Sequence, residues 1–425
     1  MQIVAGAGLP YYCENCTRDR SLGGALRARG HELIVLNLYL PPALGSSSPV
    51  FYGAVNLFLR HRFPWLRHAP PWVGRALDAR PLLRLAASLS GASEAAGLGG
   101  LTLSMLRGEE GGQAEELSLL VGWLEEFRPD AVHLSNCLLC GAARRIRREL
   151  GVTVACSLQD EDAWIDEMRE PARSSAWKIL AERSADVDIF LAVSGYYARF
   201  MGQRMRIPEA RVEVVPIGID PDGFTASELP FDPPVIGYMS RVSERMGAGI
   251  LTDAYVLLAE SGRFPGLRLR VMGGGTAADA AFVRALRRSL ARHGLASRAD
   301  FLRPFGRQDR ARFLASLTAL SVPVPGGEAF GTFLLEAMAC GVPVVQPRAG
   351  GFSELIEETG GGVLYEPNTP EVLAAAMGGV LADRERARRL GQAGRDAVLT
   401  RYTAAHMAAG LERALRKAGA GGGLP

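Results

Sequence analysis

No stretch of the chain holds about eighteen consecutive apolar residues, so no membrane-spanning helix is expected. Nor does a basic region and cleavage site precede the first strand. Met1-Gln2-Ile3-Val4 enters it at once, which argues against secretion and makes the cytoplasm the expected location. Charge of one sign is also missing. The net charge is only +3 and no block of like charges occurs, so nothing points to nucleic acid as a partner. Lysine is scarce beside arginine, which we attribute to the base composition of the source. Cysteine is sparse as well, with 6 residues that in a cytosolic protein of this size are expected as free thiols.

What is present is an ordinary soluble α/β composition, 48% hydrophobic and 22% charged, which supplies a large core. A length of 425 residues predicts two or three domains.

The most informative stretch runs from Leu320 to Gly351, LSVPVPGGEAFGTFLLEAMACGVPVVQPRAGG. Leu320, Val322 and Val324 read as a buried parallel strand ending in a Pro-Gly-Gly turn. Phe330 to Cys340 holds helix-favouring residues and no proline, and Gly341 terminates it. Glu328 then lies on the loop entering the helix and Glu336 about two turns inside it. The unpaired N–H groups near Phe330, Gly331 and Thr332 form a phosphate site. Two carboxylates beside such a site suit a nucleotide-sugar, because carboxylates accept hydrogen bonds from sugar hydroxyls while the helix end takes the diphosphate charge.

Glu328 and Glu336, set in E-x-F-G-x-x-x-x-E-A-M-A-x-G-x-P-V-V and followed by Gly350-Gly351 and Glu354, resemble the signature of retaining glycosyltransferases of family four. The resemblance implies the GT-B fold: α/β, with two Rossmann-like doubly wound domains facing across a cleft. It also implies a nucleotide-sugar donor, a UDP-, GDP- or ADP-sugar, and no separate cofactor. Glu336 is then expected at the ribose hydroxyls and Glu328 at the transferred sugar. In this family the turn after the first strand of the second domain carries an arginine and, five residues on, a lysine, both aimed at the donor diphosphate. Arg241 matches the first, but Met246 stands at the second, and a methionine cannot neutralise the leaving group. Arg245 is the candidate substitute. Gly273-Gly274-Gly275 closes a strand at the expected donor pocket, and Arg303 to Gly306 is expected beside the base.

The N-terminal half reads as strand Met1 to Ala5, loop to Asp19, helix Arg20 to Arg29 and strand His31 to Leu38, a Rossmann-like unit. By resemblance its loop, Gly6 to Asp19, faces the cleft on the acceptor side. Strand Thr153 to Leu158 commonly ends in a histidine near the reacting sugar, and here the position is Gln159, which hydrogen-bonds but cannot shuttle a proton. Asp160, Glu161 and Asp162 are read first as a helix cap and second as acceptor contacts. Cys13 and Cys16, with Cys137 and Cys140, form two C-x-x-C pairs. Plain buried thiols are the leading reading, with a four-thiolate zinc site and redox chemistry as alternatives. The segment of about 56–86 is basic, aromatic and amphipathic. It reads either as a helical hairpin packed on its own domain or as a peripheral contact with an anionic membrane surface.

The resulting plan is an N-terminal acceptor-side domain at 1–224, with a helical insertion at about 50–112, and a linker at 225–234. A donor-binding domain at 235–402 follows, then a helix at 403–418 crossing back and a flexible tail at 419–425. The expected activity is sugar transfer from a nucleotide-diphosphate sugar to a glycan, lipid or small molecule. The rivals are an epimerase or phosphorylase of the same architecture and a non-catalytic nucleotide-sugar or glycan-binding protein.

Overall fold

The computed structural model describes residues 1–5, 12–38, 95–303 and 305–419. The expected hairpin or membrane segment at about 56–86 lies outside them, as does most of the insertion. Within the insertion's last part, Ala95–Arg107 is a helix.

The described residues divide into two compact units, one of 1–5, 23–38, 95–215 and 408–419 and the other of 12–22, 216–303 and 305–407. In the first, six parallel strands are ordered β2-β1-β3-β4-β5-β6, namely Gln2–Val4 (β1), Val35–Asn37 (β2), Ala131–Leu134 (β3), Thr153–Leu158 (β4), Ile189–Ala192 (β5) and Val212–Val214 (β6). Burial on both faces makes the central strands continuous apolar runs, as in Ile189–Ala192, where every residue is buried. Sequence order reverses between β1 and β3, the switch point of a doubly wound sheet.

The second unit holds Val235–Met239 (β7), Arg268–Met272 (β8), Ala299–Leu302 (β9), Ala319–Leu320 (β10), Val344–Pro347 (β11) and Gly362–Tyr365 (β12), ordered β12-β11-β10-β7-β8-β9 and all parallel. Counted within the unit, this is the 3-2-1-4-5-6 order of dinucleotide-binding domains, with its reversal between β7 and β10. The turns after β7, β8, β10 and β11 therefore leave the same edge of the sheet, where such folds bind ligands.

Three elements differ from expectation; the strand expected at His31 to Leu38 is confined to Val35–Asn37. The strand at Leu320 spans only Ala319–Leu320, and just beyond it the Val322 N–H donates to the Gln346 side chain instead of to a neighbouring strand's backbone. The first helix spans Glu14–Ala28 and so begins six residues before Arg20. Its opening turn is built by Thr17 Oγ1 donating to the Cys13 carbonyl at 3.0 Å and by Cys16 N–H donating to Cys13 Sγ at 3.2 Å. Other punctuation is local. Thr369 caps the helix Pro370–Ala382 by accepting from Val372 N–H.

Candidate functional site

In the second unit the turn after β7 is pinned from below. Tyr238, on β7 and 1% exposed, donates its hydroxyl to the carbonyls of Arg241 at 2.8 Å and Met246 at 3.1 Å. Gly247 closes the turn at φ +74°, where a Cβ would stand 2.1 Å from the Pro323 carbonyl oxygen, so only glycine fits. Arg241 is half-buried and forks onto Asp279 at 2.9 and 3.1 Å. Burial pushes the Asp279 carboxyl up, but hydrogen bonds from Arg241 and Thr276 outweigh it and hold the group below its ordinary range. Arg245 is exposed beside the half-buried Met246.

Glu328 and Glu336 lie where the loop after β10 enters the helix Thr332–Ala339. Glu328 is half-buried, and its carbonyl accepts from Gly351 N–H at 2.7 Å. Glu336 is 1% exposed and takes both arms of Arg310, Nε and Nη2 each at 2.8 Å. Arg310 also lies 5.1 Å above the ring of Tyr12. Burial, then Glu336, Glu14 and Glu328, push the Tyr12 hydroxyl well up, with Arg310 opposing. The hydroxyl of Tyr238 is raised by burial and by Glu328, Asp279 and Glu14, against Arg241. Three carboxylates, Glu14, Glu328 and Glu336, thus act together on one buried phenol.

The expected phosphate position is filled by the chain itself. Thr332 N–H, heading its helix, donates to Glu14 Oε2 at 2.5 Å. Phe330 is buried against Tyr402 and Gly331 sits at φ +96°. Gly273 gives its carbonyl to Tyr12 N–H at 2.8 Å, and Gly274 gives its own to Val242 N–H at 2.8 Å. Arg303 is exposed just past β9. Residues 12–22 cluster with the second unit, seated on Gly273 and Thr332.

In the first unit Gln159 follows β4 and is 1% exposed, its Nε2 donating to the Ser135 carbonyl at 2.8 Å. Asp160, at φ +56°, holds the cap position without a side-chain cap bond, so the capping expectation fails. Glu161 instead ties β3 to β4 by accepting from Cys137 N–H at 2.9 Å and Gln159 N–H at 2.6 Å. Burial pushes its carboxyl up to about 7 despite those backbone bonds. Tyr197 donates its hydroxyl to Asp162 at 2.7 Å.

The cysteine reading is corrected too. Cys13 and Cys16 are half-buried and joined by a disulfide, while Cys137, Cys140, Cys156 and Cys340 are buried thiols. With the first pair oxidised, a four-thiolate zinc site is not formed, nor does any group of three or more ligating side chains occur among the described residues. Tyr12, Glu14, Tyr238, Asp279 and Arg310 were not anticipated, and Glu161 was read as a cap or acceptor contact and not as a buried tie between strand ends. Arg310 pairs with Glu336 26 residues on, Asp279 with Arg241 38 residues back and Glu14 with Thr332 318 residues on, separations no local pattern reveals.

Strand order and switch point in each unit define an α/β protein with two Rossmann-like domains, the GT-B fold. A family profile described as "Glycosyl transferases group 1" matches residues 222–397 and one described as "Glycosyltransferase Family 4" matches 105–222, and the chain belongs to this glycosyltransferase family.

Among similar proteins, a D-inositol 3-phosphate glycosyltransferase of Stackebrandtia nassauensis is 29% identical over 235 residues, covering 53% of this chain and 53% of that protein. A GDP-mannose-dependent alpha-(1-6)-phosphatidylinositol monomannoside mannosyltransferase of Mycolicibacterium smegmatis is 30% identical over 230 residues, covering 49% and 57%. The chain spans about half the length of the curated relatives it matches. Among solved structures, sucrose-phosphate synthase from Thermosynechococcus elongatus aligns at a TM-score of 0.70 with 18% identity, over 99% of this chain and 100% of that one. The Anabaena protein HepE in complex with UDP and glucose aligns at 0.66 with 16% identity, over 98% of each. At these identities the likeness is one of fold. No helix among the described residues is long and apolar enough to cross a membrane.

Proposed function

We propose that the chain is a retaining glycosyltransferase that moves a sugar from a nucleotide-diphosphate sugar to a glycan, lipid or small-molecule acceptor. The observation that carries this reading is the convergence of Glu328, Glu336 and the Thr332 helix end around Tyr12, at the carboxyl edge of the second sheet. Arg310 fixes Glu336, whose two oxygens keep lone pairs for ribose hydroxyls. Glu328 holds the transferred sugar near its reacting carbon. Arg241, oriented by Asp279, and Arg245 stabilise the diphosphate as it departs through an oxocarbenium-like transition state. Gln159 hydrogen-bonds a sugar hydroxyl and moves no proton. The names of relatives, one GDP-mannose-dependent and one crystallised with UDP and glucose, support a nucleoside-diphosphate donor without choosing the base.

Thermal shift against UDP-, GDP- and ADP-sugars tests the donor. A ligand at a hundred times its Kd stabilises by about 2.7 kcal/mol, and no shift with any of them refutes the reading. Labelled donor supplied with and without acceptors then separates transfer from epimerisation. Met246 in the lysine position favours a second reading, a non-catalytic binder, which donor binding without transfer or hydrolysis over a broad acceptor screen would support. If Arg245→Ala leaves turnover untouched while Arg241→Ala abolishes it, Arg245 does not replace the lysine.

A further inference from the structure

Chemical reactivity among the cysteines is concentrated at one place. Burial pushes the thiols of Cys137 and Cys156 far up and that of Cys340 up to about 12, which leaves them inert. Cys13 and Cys16 are half-exposed and already joined. Cys13 immediately precedes the 15-residue helix Glu14–Ala28, and Cys16 N–H points at its sulfur from 3.2 Å. A helix N-terminus with an N–H aimed at sulfur stabilises a thiolate, so Cys13 is the sulfur that leaves most readily when the bond is opened.

The residue held between these cysteines is Glu14, and its carboxylate is the group on Thr332 N–H. That position is built for more than one acceptor oxygen. Thr332 is fully buried and its Oγ1 has no hydrogen-bond partner among the described residues. The hydroxyl of Tyr12, 4% exposed and two residues before Glu14, likewise has no partner among the described residues. A carboxylate oxygen satisfies the Thr332 N–H and leaves these two hydroxyls unsatisfied, whereas a phosphate brings several acceptor oxygens to one atom. Glu14 therefore stands in for an anionic ligand that the site would hold better.

We propose that Cys13-Glu14-Asn15-Cys16 is a thiol–disulfide site that controls access of nucleoside diphosphates to the Thr332 helix end, the closed disulfide holding Glu14 on it as an internal competitor. A dithiol opens it: the S–S bond breaks, two S–H bonds form, and the dithiol loses two electrons and two protons to become a disulfide. A disulfide oxidant such as oxidised glutathione reverses the step. Freed of the four-residue ring, Glu14 swings off Thr332 and the like charge leaves the path of the phosphates. This rests on the donor reading above, since it takes the Thr332 end to be where the diphosphate sits.

The test is isothermal titration of the full chain with UDP, GDP, ADP and inorganic pyrophosphate, after diamide and after dithiothreitol, with the thiol state counted by mass spectrometry of alkylated peptides. The reduced chain is expected to bind the preferred diphosphate about tenfold more tightly, the worth of one charge-assisted contact. The C13S/C16S double variant should match the reduced chain. The Glu14→Gln variant should bind tightly in both states. Equal affinity before and after reduction overturns the proposal, as does a redox difference that survives Glu14→Gln, weaker binding by Glu14→Gln, or failure of diamide to join the pair. The redox comparison is made on the unaltered chain, so it stands even where a variant misfolds. Absence of binding by any form overturns the donor reading itself and this inference with it.

Discussion

Replacing Arg310 by methionine removes the cation from a carboxylate that has almost no access to water. Glu336 is 1% exposed and Arg310 10%, and the two share hydrogen bonds of 2.8 and 2.8 Å. Burial alone would lower the Arg310 pKa, yet Glu336 raises it overall, so the guanidinium stays charged. Methionine keeps most of the side-chain volume under the Tyr12 ring, so the loss is electrostatic and not a cavity. Breaking a buried pair at one end costs about 3–5 kcal/mol, because the remaining charge stays desolvated. For a unit of this size each kcal/mol is worth roughly 2–4 °C, giving a fall of about 6–20 °C in the calorimetric transition of the second unit. Replacing both ends, Arg310→Met with Glu336→Leu, should recover all but about 1 kcal/mol of stability, since an apolar pair of similar volume is tolerated there. Donor binding should be lost in both variants. A loss below about 1 kcal/mol in the single variant, or a double variant no more stable than the single, would refute the account of Glu336 as a desolvated charge held by one partner.

Gly350→Ala should cost about 1–3 kcal/mol of backbone strain at φ +57°, ψ −146°, and its Cβ would stand 2.5 Å from the Glu328 carbonyl oxygen. Turnover should therefore fall further than stability, as read by transfer assay beside calorimetry. Glu161 titrates at about 7 in the folded chain against an ordinary 4.5, so its contribution is complete below about 4.5 and disappears as pH rises through about 7. The swing is about 3 kcal/mol, and urea unfolding across pH should show it in the parent chain and not in Glu161→Gln. Glu412 is held down to about 2, first by the Arg29 hydrogen bond and also by His31. Its stabilisation is present above 4.5 and lost as pH falls through about 2. Arg29→Ala should move its carboxyl resonance titration in NMR back toward 4.5.

How much of this was legible in the sequence follows the range of each interaction. The helix Pro370–Ala382 was readable because its cap, Thr369, and first residue, Pro370, are neighbours. Strand Val235–Met239 was readable because both of its faces are buried. The start of the first helix was missed because Cys13, Asn15 and Thr17 look like loop residues and become helical through their own side-chain and backbone bonds. The helix Ala248–Glu260 drew no expectation, since its glycine-bearing start hides an apolar face that only packing defines. At the site, Glu328 and Glu336 were visible as a spacing. Their controllers were not, for Arg310 is 26 residues from Glu336 and Glu14 is 318 from Thr332.

Those controllers change what the motif means electrostatically. A diphosphate needs positive charge, yet Arg241 is already forked onto Asp279 and Arg310 onto Glu336. Glu328 and Glu14 add two further carboxylates near the same phenols. On the proposed donor reading, backbone N–H groups would carry more of the burden of holding phosphate than beside an uncommitted lysine, whose family position Met246 occupies. Moving one carboxylate off the Thr332 N–H changes the balance twice: it exposes a donor and removes a like charge. If Glu14 competes with the donor as proposed, the absent lysine and the acidic residue between two cysteines become two halves of one arrangement, with affinity set less by a fixed cation than by where Glu14 rests.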